Sequence, residues 1–220
     1  MVVSCSAGKT KAAPNYEAAL AASWGDIAEI DILLQAGRVG GIVEQRRDGN
    51  RSVSLPCMGE TYCIGLADGS VSRGDGAVVG VFTQILILHA LCSHTGCIPS
   101  GDWIAFSDIP DGLFYGGVYK RRTAGRLARA LSGGGDLLWD AAERLGGREA
   151  ALGGDASAVV EPFAGVPVGI VFWEGDDEFG PAVTFLYDKT ITGIFPAEDI
   201  VVLTQWLVEE MIQIIREIAR

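Results

Sequence analysis

Residues 40–79, GGIVEQRRDGNRSVSLPCMGETYCIGLADGSVSRGDGAVV, decide the fold class. Short runs of β-branched and alternating apolar residues are broken at Asp48-Gly49, Met58-Gly59-Glu60 and Asp68-Gly69, dipeptides that turn a chain tightly. The spacing predicts three short strands, GGIVEQRR, RSVSLPCMGETYCIGLA and GSVSRGDGAVV, forming an antiparallel meander.

Helical patterns flank this stretch on both sides. Upstream, Tyr16, Ala19, Leu20, Trp24, Ile27, Ile30 and Leu34 recur at helical spacing, interrupted by Gly25. Downstream, Val79–Cys92 predicts a central helix that stops at Thr95-Gly96, and Trp103–Phe106 predicts a short strand. A basic helix is expected over Lys120–Leu131, then a small amphipathic helix over Asp136–Leu145. A hairpin follows, PVGIVFWEG and AVTFLYDKT around Glu174-Gly175-Asp176-Asp177-Glu178. Pro196 opens a long C-terminal helix with Glu198 and Asp199 in its first turn and Arg216 and Arg220 near its end, the charge order that suits the helix dipole. Strands and helices mix without a βαβ rhythm, so the class is α+β: an antiparallel sheet packed with several helices. No repeat or linker divides the chain, which gives one domain over residues 15–220 behind a mobile segment, residues 1–14.

Composition narrows the partners. At 220 residues the chain is long enough to bury a real core. Its net charge of −11 opposes nucleic acid and anionic membrane, both of which need a positive field. The longest apolar run, about residues 77–92, is broken by Gln84 and His89 and falls short of the roughly 20 residues of a spanning helix. The first residues, MVVSCSAGKTKAAPNYE, lack the pattern of a secretory signal. Five cysteines at irregular spacing fit a reducing cytoplasm.

Chemistry concentrates in residues 84–129, which hold both histidines, Cys92, Cys97 and the basic residues Lys120, Arg121, Arg122, Arg126 and Arg129. His89 interrupts a run of aliphatic side chains, where a buried imidazole needs a partner. Two readings stay open: a core histidine bonded to a carbonyl, or a ligand to a metal or haem-like group. His89, Cys92, His94 and Cys97 form H-x-x-C-x-H-x-x-C, the atoms a tetrahedral metal ion takes. His94 joins such a set only if the helix ends near Ser93, because five residues on one helix place it on another face. Arg122, Arg126 and Arg129 fall at helical spacing, and guanidinium forks suit carboxylates and phosphates. A solvated stripe paired with the protein's own acids is the alternative. Trp103, Phe106, Phe114, Tyr115 and Tyr119 lie between, with Gly101, Gly112, Gly116 and Gly117 to let the chain bend over a ligand; filling the core is their commoner use.

Other motifs carry less. Gly8-Lys9-Thr10 lacks the first glycine of a phosphate-binding loop. Asp108 and Asp111 flank Pro110 as turn residues, and the 174–178 acids lack calcium-loop spacing. Cys57 and Cys63 lie across a hairpin turn. There is no G-x-S-x-G and no H-E-x-x-H.

The segments ILILHALCSHTGCIPSGDWIAFSDIPDGLFYGGVYKRR (85–122), VPVGIVFWEGDDEFGPAVTFLYD (166–188) and IFPAEDIVVLTQWLV (194–208) occur in this order. Together they resemble a family of prokaryotic proteins known only as a domain of unknown function. The resemblance covers roughly residues 15–210. It implies an anaerobic setting and, in some relatives, an additional iron–sulfur domain whose closely spaced cysteines are missing before residue 57 here. It brings no settled activity.

Three functions follow as expectations. In the first, a metal tetrapyrrole or corrinoid, or a single metal ion, is bound by His89. The aromatic stretch Trp103, Phe106, Tyr115 and Tyr119 covers it, and Lys120, Arg122 and Arg126 pair with its acidic groups. In the second, His89 is the acid or base of an enzyme acting on an anionic substrate. In the third, a partner protein docks on the C-terminal helix through Trp206, Leu207, Met211, Ile212 and Ile215.

Overall fold

The computed structural model describes residues 16–47 and 49–219, with only the backbone of Val118. The expected mobile segment 1–14, the Gly8-Lys9-Thr10 motif and Asp48 of the first expected turn lie outside the described residues.

The fold is α+β, with seven α-helices and two antiparallel sheets among the described residues. The first helical pattern is two helices, not one. Helix α1, Tyr16–Glu29, runs straight through Gly25, and the chain breaks instead at Ile30. There Asp31 starts α2, Ile32–Arg38, by accepting the Leu33 and Leu34 N–H groups on Oδ1 at 3.1 and 3.2 Å.

The meander has four strands rather than three: β1 Ile42–Gln45, β2 Arg51–Cys57, β3 Glu60–Gly65 and β4 Ser70–Arg73, neighbours in that order. The turn expected at Met58-Gly59-Glu60 is present, with Met58 and Gly59 at positive φ (48° and 75°), and it splits the middle segment into β2 and β3. Every second side chain points inward: Val53, Leu55 and Cys57 on β2, then Tyr62 and Ile64 on β3.

Helix α3, Val81–Ser93, is apolar nearly all round and is buried through Leu86, Ile87, Leu88, Ala90 and Leu91. The second sheet has the order β5-β9-β8-β7-β6, from β5 Trp103–Ala105, β6 Arg148–Glu149, β7 Ala156–Phe163, β8 Val166–Trp173 and β9 Ala182–Asp188. The expected hairpin is β8–β9. Its central neighbour β7 escapes the sequence reading because a continuously buried strand shows no alternation.

The connection between the sheets is also more ordered than expected. Helix α4 spans Gly112–Arg122 and α5 spans Ala124–Ala130, so the basic segment is broken at Thr123, whose buried hydroxyl donates to Tyr119 O at 2.7 Å. Helix α6, Asp136–Arg144, matches its pattern.

Pro196 stands at the start of α7, Ala197–Ile218. Trp206 in its middle packs edge-on against Tyr62 of the first sheet, centroids 5.5 Å apart, and against Phe163 of the second at 6.2 Å. The stripe Trp206, Leu207, Met211, Ile212 and Ile215 is therefore buried core and not a free docking face, as an apolar helical stripe is by default. No helix among the described residues is long and apolar enough to cross a membrane.

Candidate functional site

Three helices meet at His89. It lies on α3, and its Nδ1 is 2.8 Å from Oδ2 of Asp199 in the first turn of α7. Its Nε2 is 3.1 Å from the hydroxyl of Ser23 on α1. A carboxylate only accepts, so Nδ1 carries a proton. The Ser23 hydroxyl is also placed to donate to Ala19 O at 3.0 Å, one turn back on α1. It has a single hydrogen. With that hydrogen on Ala19 O, Nε2 must donate to Ser23 Oγ, and the ring is a doubly protonated imidazolium with every bond satisfied. In the neutral ring, Ser23 instead turns its hydrogen to Nε2 and leaves Ala19 O.

The electrostatics favour the charged ring. The hydrogen bond that His89 donates to Asp199 raises the His89 pKa above its ordinary value; burial opposes this, and the charges of Asp199, Asp26 and Glu198 add to the rise. The imidazole side chain stays 34% exposed while Ser23 is buried, so the ring alone faces both solvent and core.

The line Asp199–His89–Ser23 has the connectivity of a nucleophilic triad but not its surroundings. Ser23 sits mid-helix with 1% exposure, its oxygen held by its own turn. Among the described residues, the neighbouring N–H groups of α1 belong to its helical ladder and do not form an oxyanion hole. Ser23 is a partner for His89, not a nucleophile.

His94 plays a separate part. Its Nδ1 accepts the Gly96 N–H at 2.9 Å, so Nε2 carries the proton and donates to Ala164 O at 2.8 Å. The ring is buried and pins the end of α3 to the β7–β8 turn at Ala164-Gly165. Burial lowers its pKa, and the ring is neutral. With both nitrogens engaged it has none left for a metal. Among the described residues no three His, Cys, Asp or Glu side chains converge on a point that would hold an ion, so His89, Cys92, His94 and Cys97 are not brought together as a ligand set. Cys92 is a thiol pushed up to about 11 by burial and then by Asp26.

The aromatic residues also lie elsewhere than over His89. Phe106 and Tyr119 stack on each other in the core, 4.0 Å between centroids and 6° between planes. The Tyr119 hydroxyl meets Tyr187 Oη at 2.6 Å, and Tyr187 meets Thr204 Oγ1 at 2.5 Å, which donates to Ile200 O at 2.7 Å. Trp103 lies against β8, where a Cβ at Gly169 would come 3.3 Å from its ring. Tyr115 packs partly buried on the core, and Phe114 is exposed. Residues 101–119 thus form β5, a 3-10 turn and most of α4 rather than a bending cover.

The basic residues go a third way. Lys120 and Arg122 are exposed at the end of α4. Arg126 pairs with Glu209 of α7 at 3.2 Å. Asp199 and Glu209 are ten residues apart on one helix, about 15 Å at the helical rise, so the arginines and His89 lie at different levels of α7. Imidazole, aromatic rings and cations do not line one cavity, and they do not fit a tetrapyrrole held by all three.

Ser23 and Asp199 are the residues the sequence reading missed as His89 partners. Their only local signals are a serine in the otherwise small and apolar run AALAASW and an acid one residue beyond a more exposed one, Glu198-Asp199.

No curated protein and no solved structure matches the chain. One family model does match, over residues 35–210, a span that includes His89 and Asp199 and leaves α1 with Ser23 before its start. The chain belongs to the family of that model, described as a domain of unknown function (DUF3786).

Proposed function

We propose that the protein binds a small polar molecule at His89 and moves a proton on it, with His89 as general acid and base and Asp199 as its positioning residue. The observation that carries this is the bond that Nδ1 donates to Asp199, which fixes the ring and raises its basicity while Nε2 faces a hydroxyl. Asp26, Glu198 and Asp199 give the surroundings a negative field. That field favours a neutral or cationic ligand over the anionic one expected from the arginines alone. Both ring nitrogens are engaged in this structure, so a ligand hydroxyl or amine reaches Nε2 only when the Ser23 side chain rotates out of hydrogen-bond reach.

We place the protein in a reducing cytoplasm, in the anaerobic setting implied by its resemblance. The four described cysteines, Cys57, Cys63, Cys92 and Cys97, are all free thiols, which supports this.

The test is a fragment screen read by NMR at the His89 Cε1–H signal, using small alcohols, amines and carboxylates. The reading expects alcohols or amines to move that signal saturably, and Asp199→Asn to weaken them about tenfold, the worth of one charge-assisted bond. If carboxylates alone move it, or no fragment does, the reading is wrong.

A further inference from the structure

We propose a second binding site, on the face between α5 and α7, for a small amphipathic anion: a carboxylate carried on a short apolar body. It is independent of the His89 reading.

Two adjoining recesses lie along this face. One, about 440 Å³, is lined by Arg126, Arg129, Ala130, Ile212, Ile215, Arg216 and Ala219. The other, about 470 Å³, shares Arg126, Ile212 and Arg216 and is bounded by Glu209, Gln213 and Glu217. The first has three guanidinium groups and no acidic side chain in its lining, on a chain whose net charge is −11. Of the five acids of α7, Glu209 and Glu217 line the other recess. There Glu209 takes Arg126 at 3.2 Å and Glu217 takes Arg144 at 3.8 Å. Among the described residues Arg129 and Arg216 have no ion-pair partner, and both are exposed.

Arg126 is compensated by Glu209, which leaves the like charges of Arg129 and Arg216 beside one recess, and an anion between them converts their repulsion into attraction. A guanidinium fork matches the two oxygens of a carboxylate. The floor sets the rest of the ligand. Ile212 and Ile215 belong to the buried stripe of α7 and show the recess only their outer edges, beside half-buried Ala130 of α5, so an alkyl body lies against these edges and the aliphatic stems of the arginines while the head reaches the rim. The site is far from His89: Asp199 and Arg216 are 17 residues apart on α7, about 25 Å at the helical rise.

The experiment titrates octanoate into the isotope-labelled full-length chain and follows backbone amides. Octan-1-ol supplies the tail without the charge, and inorganic phosphate supplies the charge without the tail. Octanoate should shift the amides of residues 126–130 and 212–219 saturably, with octan-1-ol and phosphate each binding more weakly. The pair Arg129→Gln and Arg216→Gln should weaken octanoate by about tenfold or more. The pair Arg129→Lys and Arg216→Lys, which keeps the charge and loses the fork, should fall between. The proposal is overturned if octanoate shifts nothing at this face, if octan-1-ol or phosphate binds as tightly, or if the glutamine pair binds octanoate unchanged.

Discussion

His89 and His94, five residues apart at the end of one helix, are pushed in opposite directions from the ordinary imidazole value. His89 gives its Nδ1 proton to a carboxylate at 2.8 Å, whereas His94 accepts a backbone N–H on the same atom at 2.9 Å. The hydrogen bond to Asp199 raises the first pKa, and burial lowers the second. In an NMR titration His89 should change charge above the ordinary value of about 6.5 and His94 below it. A reversed order would refute both assignments.

These shifts act on stability in opposite directions. His89 binds its proton more tightly in the fold, so its contribution is full below about pH 6.5 and is lost as pH rises through the raised folded value. His94 binds its proton less tightly in the fold, so its contribution is full above about pH 6.5 and is lost as pH falls toward the depressed folded value. Asp199→Asn should abolish the alkaline loss and leave the acid one, while lowering stability by about 1 kcal/mol at pH 6, since the pair is partly exposed. Urea unfolding at several pH values measures both effects. An alkaline limb that survives the substitution would mean another group causes it.

His94→Ala should be the more damaging histidine change, although His89 has the more evident chemistry. It strands the Gly96 N–H and the Ala164 carbonyl beside a new cavity, at a cost of about 3 kcal/mol. The midpoint of denaturation reads this. A loss no larger than that of His89→Ala would show that the β7–β8 turn does not depend on the ring.

Asp188 ends β9 and accepts five hydrogen bonds: from Ser100 N and Oγ at 3.1 Å each, Gly101 N at 2.6 Å, Thr190 N at 3.0 Å and Thr190 Oγ1 at 2.6 Å. Burial pushes its pKa up, but these donors win and hold it at about 2. The stability it confers is present above the ordinary carboxylate value of about 3.9 and is lost as pH falls toward about 2. Asp188→Asn sets an amide N–H against one of these donors and should cost about 2–3 kcal/mol at neutral pH while weakening the acid dependence. An acid limb unchanged in the variant would assign it to other carboxylates.

Tyr187→Phe tests the buried chain Tyr119–Tyr187–Thr204. Thr204 donates to Ile200 O, so each hydroxyl donates to the next and Tyr187 is the middle link. Removing it leaves the Tyr119 hydroxyl without an acceptor, with an expected loss of about 1–2 kcal/mol. Thr204→Val in the same background should then add less than it does alone. Full additivity would mean the links are independent.

Local signals made much of the fold legible. Turn dipeptides marked the meander, and Pro196 with Glu198 and Asp199 marked the start of α7. What escaped depended on distance in the chain or on burial on both faces. Strand β7 reads ASAVVEPF, with no polar alternation to separate it from a buried helix. Thr123 looked like any helix residue, and only the fold shows its hydroxyl turned back on Tyr119. His89 stood out as a polar residue in an apolar run, but its partners lie 66 residues before it and 110 after it, a pairing no local pattern encodes. The arginines were visible as cations. Their assignment to one cavity with His89 had no physical support, because helical spacing orders residues on one element and says nothing about which neighbour that element packs against.

The edge strand β5 imposes a timetable on synthesis. Residues 103–105 pair with residues 186–188, and the loop before β5 closes over Asp188. A nascent chain that has emerged only as far as the meander and α3 has nothing for β5 to pair with until β9 leaves the ribosome, some 80 residues later. While the residues between are made, the ribosome-bound intermediate therefore carries β5 unpaired and α3 covered by α1 and α2 but not yet by α7. Slower translation between residues 105 and 186 lengthens the time that β5 waits for its partner.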